Sequence, residues 1–197
     1  MAENEQDAIE FTAGPDPGGN GWFAYSDDLY AAIGRVAAES ALTDDFLAEL
    51  LDGFVGDLTS RLFSGQSTDW LLKAVEVVVE DLDPYNHRYT AEQHQTLITG
   101  LRRLDSLRNL RAHVVHGVWT HMSFQEENTK PRPFGDDEET PVLSCSRGRH
   151  RRGYDEQLWT LGDVIRLAAE FRATRSQLAE LRRAMEPDAF RLLPRWR

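Results

Sequence analysis

The residues best suited to chemistry lie in one short segment, from Arg108 to Trp119, with the sequence RNLRAHVVHGVW. Two Arg/His pairs occur in it at the same spacing, Arg108 with His113 and Arg111 with His116. A histidine accepts or donates protons near neutral pH, and an arginine stabilises the charge that develops on a phosphate. Because RNA supplies its own nucleophile, the 2′-hydroxyl, this combination points to phosphodiester chemistry without a metal.

A single helix should carry the segment. Thr90 and Gln93 have the spacing of a capping box, and Gly117 is a helix-ending glycine. At about 100° per residue, Arg108 and Arg111 fall on the apolar stripe of this helix, so we expect both on its inward side. The other polar residues of the segment should lie close together on the other flank: Asn109, His113 and His116.

Arginines on an inward stripe need an explanation, since an unpartnered buried guanidinium costs several kcal/mol. Either they pair with carboxylates from another helix or they line a groove. The acidic residues of the first predicted helix are candidate partners: Glu39, Glu49 and Asp52. Whether Arg111 and His116 face an open cleft or are closed off by a carboxylate separates a functional from a structural role.

The stretch Arg111-Ala-His-Val-Val-His116-Gly117-Val118-Trp119 resembles the motif of the HEPN superfamily. Members are helical bundles, many of them metal-independent ribonucleases of prokaryotic defence and toxin–antitoxin systems. Their motif is Arg, four to six residues and His, with Asn or Asp commonly after the Arg, and in many members a Gly-x-Trp ending. Ala112 departs from this pattern. The register from Arg108 has Asn109 but lacks Gly-x-Trp after His113, so the Arg111/His116 register matches at more positions.

The resemblance implies an endoribonuclease in which His116 is the general acid or base and Arg111 stabilises the phosphate. Arg108, Asn109 and His113 are then supporting residues. It also implies a homodimer with the motif helices near the interface, RNA as substrate, and a cognate antitoxin or defence partner. The alternative is a non-catalytic, homodimeric HEPN-like interaction module that keeps the motif for packing.

Other chemistry-bearing residues are fewer. Arg147, Arg149, Arg151 and Arg152 form a basic run that either holds an RNA backbone or is a solvated strand end. The single cysteine, Cys145, excludes an internal disulfide and has no nucleophile context. His113 and His116 have no nearby Asp, Glu or Cys to complete a zinc site. We therefore expect no metal and no cofactor.

The pattern along the chain predicts an all-α fold, a bundle of four to five helices with a small β-hairpin inserted before the last long helix. Helices are expected from Ser26, as one long helix or two with a break near Thr43, from Ser67, and from Thr90 to His116. The last should run from the Thr160/Asp163 cap to about Met185. The hairpin strands are expected at 118–124 and 141–146, joined by a mobile loop from Gln125 to Thr140.

Composition sets the outer limits. The chain has 197 residues and a formal net charge of −11, so it is not a general nucleic-acid binder, and RNA contact needs a local basic patch. We expect a disordered acidic arm at 1–24, a helical domain at 25–187 with the hairpin at about 118–155, and a basic tail at 188–197. The start lacks signal-peptide features and no stretch is apolar enough for a membrane, which indicates a cytoplasmic protein.

Overall fold

The computed structural model describes residues 26–55, 63, 65–81, 90–121, 129–135, 143–149 and 153–185. This part of the chain is mostly helical and contains one small antiparallel sheet. Its elements, in chain order, are α1 (Asp27–Val55), α2 (Thr68–Asp81), α3 (Ala91–His116), β1 (Val118–His121), β2 (Leu143–Arg149), β3 (Gly153–Trp159) and α4 (Leu161–Ala184). The predicted acidic arm and basic tail lie outside the described residues.

The first helix is continuous. Ser26 caps it by accepting a hydrogen bond from the Leu29 amide, at 3.1 Å. The break considered at Thr43 does not occur, because the Thr43 hydroxyl is buried and donates to the Glu39 carbonyl one turn earlier, at 2.8 Å. That local bond satisfies the polar side chain inside the helix. One rigid element of 29 residues therefore supports the other helices.

The motif helix α3 has the predicted bounds. At its start the Thr90 hydroxyl accepts from the Gln93 amide, and the Gln93 side chain accepts from the Thr90 amide. At its end Gly117 has φ −86° and ψ 161°, which is extended rather than left-handed. A Cβ at Gly117 would lie 2.2 Å from Cys145 Sγ. Glycine is needed here for close packing, not for its conformational freedom.

The predicted hairpin is instead part of a three-stranded sheet in the order β1-β2-β3. β1 pairs with β2 through Trp119 and Cys145, and β2 pairs with β3 through Cys145 and Gln157. The all-α prediction with a two-stranded hairpin missed β3, which follows the basic run directly. The polar centre of β3, Asp155-Glu156-Gln157, has low strand propensity, and tertiary pairing outweighs it.

Part of the predicted mobile loop is fixed to the bundle. Residues 129–135 add a bridge from Lys130 to Gln157 of β3. Arg132 is bound to Asp163 at the start of α4, with Nε and Nη2 at 2.7 and 3.0 Å from the two carboxylate oxygens. The acidic composition of the loop predicts mobility, but it does not reveal this buried bidentate pair, because the carboxylate is distant in sequence.

The core lies between the helices and under the sheet. Leu104 and Leu107 of α3 are buried against Phe54 of α1 and Phe171 of α4, within one cluster. The sheet joins it through Trp119 and Trp159, whose rings meet edge to face at 6.2 Å. Within the described ranges, no helix is long and apolar enough to cross a bilayer.

Candidate functional site

The last turn of α3 brings Arg111 and His116 together. Arg111 Nη1 lies 3.1 Å from His116 Nε2. A guanidinium has only donors, so Nε2 must accept, and the ring proton of a neutral His116 is then on Nδ1. His116 is exposed and Arg111 is half-buried.

Arg147 of β2 adds a second cation to this cluster. Its strand neighbour Ser146 pairs with Val118, which sets Arg147 beside the end of α3. Partial burial and the positive charges of Arg111 and Arg147 hold the pKa of His116 below its ordinary value. The imidazole is therefore neutral at pH 7 and flanked by two guanidiniums, an arrangement that suits an anion and a proton acceptor.

Neither arginine is neutralised by an acid among the described residues, since none of the ion pairs there includes Arg111 or Arg147. Asp155 stands opposite Arg147 in the strand pair, but His113 and Lys130 occupy its carboxylate oxygens. Two of the predicted acids of α1 bind other arginines: Glu39 binds Arg172 and Arg175, and Glu49 binds Arg182. Among the described residues, no carboxylate thus forms an ion pair with Arg111 or Arg147 of the Arg111–His116–Arg147 cluster.

His113 is bound to a carboxylate and not to Arg111 or Arg147. It is buried, and its Nε2 is 2.9 Å from Asp155 Oδ2. Burial alone raises the pKa of Asp155, but hydrogen bonds from Lys130 and His113 outweigh it and lower that pKa. His113 thus connects the motif helix to β3 through Asp155, which also binds Lys130.

Arg108 and Asn109 are also separate from the cluster. Arg108 is 2.9 Å from Asp105 on its own helix and 3.4 Å from Asp69 at the start of α2. Exposed Asn109 donates to the Asp105 carbonyl. The helical wheel placed Arg108 inward, where it would pair with a carboxylate of another helix or line a groove. Arg108 is half-buried, pairs with Asp69 of α2 and lines the groove between α2 and α3. Arg108 and His113, the pair of the other register, therefore bind different carboxylates.

Of the basic run, the structure places only the side chain of Arg147. Arg149 ends β2 opposite Gly153, and its side chain lies outside the described part, as do Arg151 and Arg152 entirely.

The Gly-x-Trp part of the motif is used in packing. The Gly117 amide donates to the His113 carbonyl at 2.8 Å, and that carbonyl also accepts from the Cys145 thiol at 3.3 Å. Trp119 is buried, and its Nε1 donates to the Val114 carbonyl at 3.2 Å. Burial raises the pKa of Cys145 to about 12, which makes the thiol unreactive.

Two residues near the cluster were not predicted. Asp44 of α1 is half-buried, accepts a hydrogen bond from Thr68 of α2 and feels the charge of Arg111. Lys130, assigned to a mobile loop, is 2.7 Å from Asp155. Asp44 stands in the sequence Thr-Asp-Asp at a suspected helix break, and nothing in that local pattern distinguishes it from Asp45.

The cluster is accessible from solvent, since His116 is exposed and Arg111 and Arg147 are half-buried. A groove of about 440 Å³ between α2 and α3 is lined by Asp69, Leu101 and Arg108, among others, and does not reach Arg111 or His116. In the described ranges no three His, Cys, Asp or Glu side chains are grouped as a metal ion would require. Comparison with protein-family models, curated proteins and solved structures gives no match for this chain.

Proposed function

We propose that this chain is a metal-independent endoribonuclease, of the toxin or phage-defence kind that its resemblance to the HEPN superfamily implies. The observation that carries the proposal is the Arg111–His116 contact at 3.1 Å, with the unprotonated Nε2 turned to the arginine. Arg147 on the neighbouring strand completes a site with two positive charges around a neutral base.

The chemistry follows from these groups. A phosphodiester draws the Arg111 guanidinium onto its non-bridging oxygens through paired hydrogen bonds. That movement frees His116 Nε2, which takes the proton from the 2′-hydroxyl as the 2′-oxygen attacks phosphorus. The bond to the 5′-oxygen breaks, the 5′-oxygen takes a proton from solvent, and His116 returns its proton there. The products are a 2′,3′-cyclic phosphate and a 5′-hydroxyl.

His116 and Arg111 contribute to the rate enhancement in different ways. General acid–base catalysis contributes about 100- to 10,000-fold, and one preorganised donor to a developing negative charge contributes about 100- to 1,000-fold. Because His116 is exposed, a second copy of the chain covers the cluster and forms the other side of the site. That copy makes the active form a homodimer, as the resemblance implies.

The test is incubation of the purified protein with mixed cellular RNA in excess chelator. Wild type should cleave, and His116→Ala and Arg111→Ala should each lose at least about 100-fold in rate. Arg102→Ala is a matched control, because Arg102 is an exposed arginine of the same helix without an ion-pair partner in the described part. Cleavage that persists in His116→Ala would assign the activity to another site.

A non-catalytic interaction module is the second candidate, and one observation favours it. Gly117 and Trp119, the positions that make the motif distinctive, are fully used in packing against Cys145, Val114 and Trp159. Absence of RNA cleavage by wild type, together with a homodimer in light scattering and a lower melting temperature in Arg111→Ala, would favour the module. A monomer at micromolar concentration would count against both candidates.

A further inference from the structure

Asp44 lies in the middle of α1, and its side chain faces the start of α2 and the end of α3. The Thr68 hydroxyl, at the first position of α2, donates to its carboxyl group. The other oxygen, Oδ1, is buried and accepts no hydrogen bond from the described residues. A buried acceptor without a donor is unfavourable, so this oxygen calls for a partner.

Arg111 has a complementary deficiency. Its Nη1 is used by His116, whereas its Nε is buried and has no acceptor among the described residues. A carboxylate offers only acceptors and a guanidinium only donors. Arg111 is also the described cation whose charge acts on Asp44, against burial and the neighbouring charge of Asp45.

We propose that Asp44 is a positioning residue that restrains Arg111 from its Nε side, so that the guanidinium stays beside His116 and its Nη atoms can turn onto a phosphate. This inference deepens the proposed function and, as a statement about the ribonuclease site, rests on it. Thr68 fixes the Asp44 carboxyl, Asp44 restrains Arg111, and Arg111 orients His116. The site thus joins three helices, although its two motif residues come from one.

Asp44 and Arg111 interact through their charges but form no ion pair within 4 Å. Burial is the main influence on Asp44, and it raises the pKa of this carboxyl despite the Thr68 hydrogen bond and the Arg111 charge. Glu39 differs, because two arginines bind it directly and lower its pKa even though burial alone would raise it. Among the described residues no carboxylate forms an ion pair with Arg111, so its Nη donors stay available to a phosphate, which is the substrate group that this geometry fits.

The experiment is an NMR titration of His116 in the full chain, which requires no RNA. The charged groups that bear on His116 are Arg111 on its own helix, Arg147 on β2 with Asp155 opposite it, and Asp44 and Asp45 through Arg111. In Asp44→Asn a released Arg111 moves away, so the pKa of His116 should rise by at least half of the rise seen in Arg111→Ala. Loss of charge alone would lower that pKa instead.

Three variants make the result decisive. Asp45→Asn removes the same charge one residue away on the exposed side of α1, and it should give no rise. Asp44→Asn added to Arg111→Ala should change nothing further, because the effect passes through Arg111. Thr68→Val, which removes the donor to Asp44, should give a smaller rise and serves if Asp44→Asn fails to fold.

The positioning role is overturned if the pKa of His116 falls or does not change in Asp44→Asn. It is also overturned if Asp44→Asn changes this pKa in the Arg111→Ala background as much as it does in wild type. The proposed function fails separately. If the pKa changes follow the scheme but wild type leaves RNA intact, Asp44 positions Arg111 in a site that is not a ribonuclease. If wild type cleaves RNA and Asp44→Asn leaves the pKa of His116 unchanged, the ribonuclease site does not depend on Asp44.

Discussion

Two groups of arginines in this molecule are held in opposite ways. At the seam between α1 and α4, Arg172 and Arg175 bind the buried Glu39 carboxylate, each with a contact of 2.8 Å. At the end of α3, Arg111 and Arg147 flank His116 and bind no described carboxylate. The first group is compensated charge that fastens two helices, and the second is concentrated positive charge in a chain of net charge −11.

The contrast extends to every half-buried arginine that the structure describes. Four of them have a carboxylate partner: Arg108, Arg132, Arg175 and Arg182. The other two are Arg111 and Arg147, and both act on the same histidine. Since partly desolvated charges normally need compensation, an uncompensated pair beside a neutral imidazole is a better guide to function than charge alone.

The largest expected effect concerns stability and separates the two groups. Arg175→Gln leaves the Glu39 carboxylate, 8% exposed, with only the largely exposed Arg172. It should lower the free energy of unfolding by about 3 kcal/mol. Arg111→Gln should change it by less than about 1 kcal/mol, because no ion pair is broken. Urea unfolding measures both, and equal losses would mean that Arg111 is also a structural cation.

A smaller loss of unfolding free energy is expected for a substitution where the sheet meets the motif helix. Gly117→Ala places a Cβ 2.2 Å from Cys145 Sγ and 2.6 Å from the His113 carbonyl. The strain should cost about 1–3 kcal/mol and displace β2, and with it Arg147, from His116. In β2 itself, a Cβ at Gly148 meets nothing within 4 Å. Gly148→Ala should therefore have an unfolding free energy in urea close to that of wild type. A wild-type stability for Gly117→Ala would contradict the packing role.

The smallest expected effect is a change in the pKa of His116. Arg111→Ala and Arg147→Ala should each raise its pKa towards the ordinary value near 6.5, and Arg102→Ala should not. Because the folded pKa is below the unfolded one, the unfolded chain binds more protons between the two values. Stability therefore falls as pH drops from above 6.5 through the folded pKa, and His116→Ala should remove that slope. NMR and urea unfolding at several pH values test these signs.

Sequence reasoning succeeded where local chemistry decides the structure. The Thr90/Gln93 and Thr160/Asp163 capping boxes set the starts of α3 and α4. α3 also ends before Gly117 as predicted, although that glycine is extended and not left-handed. Sequence reasoning failed for β3 and for Arg132, where pairing and a buried carboxylate distant in sequence decide. At the site the spacing indicated Arg111 and His116, which are in contact, but could not separate His113 or find Asp44. Those roles depend on how other elements pack against the helix.

The most direct test of the central claim, that this cationic cluster cleaves RNA through its 2′-hydroxyl, compares two oligonucleotides of one sequence. One is all RNA, and the other carries 2′-deoxy sugars throughout. In excess chelator the wild-type protein should cut the RNA to cyclic-phosphate and 5′-hydroxyl ends and leave the deoxy strand intact, while His116→Ala cuts neither. Cleavage of the deoxy strand, or equal cleavage of the RNA by wild type and His116→Ala, would contradict the account.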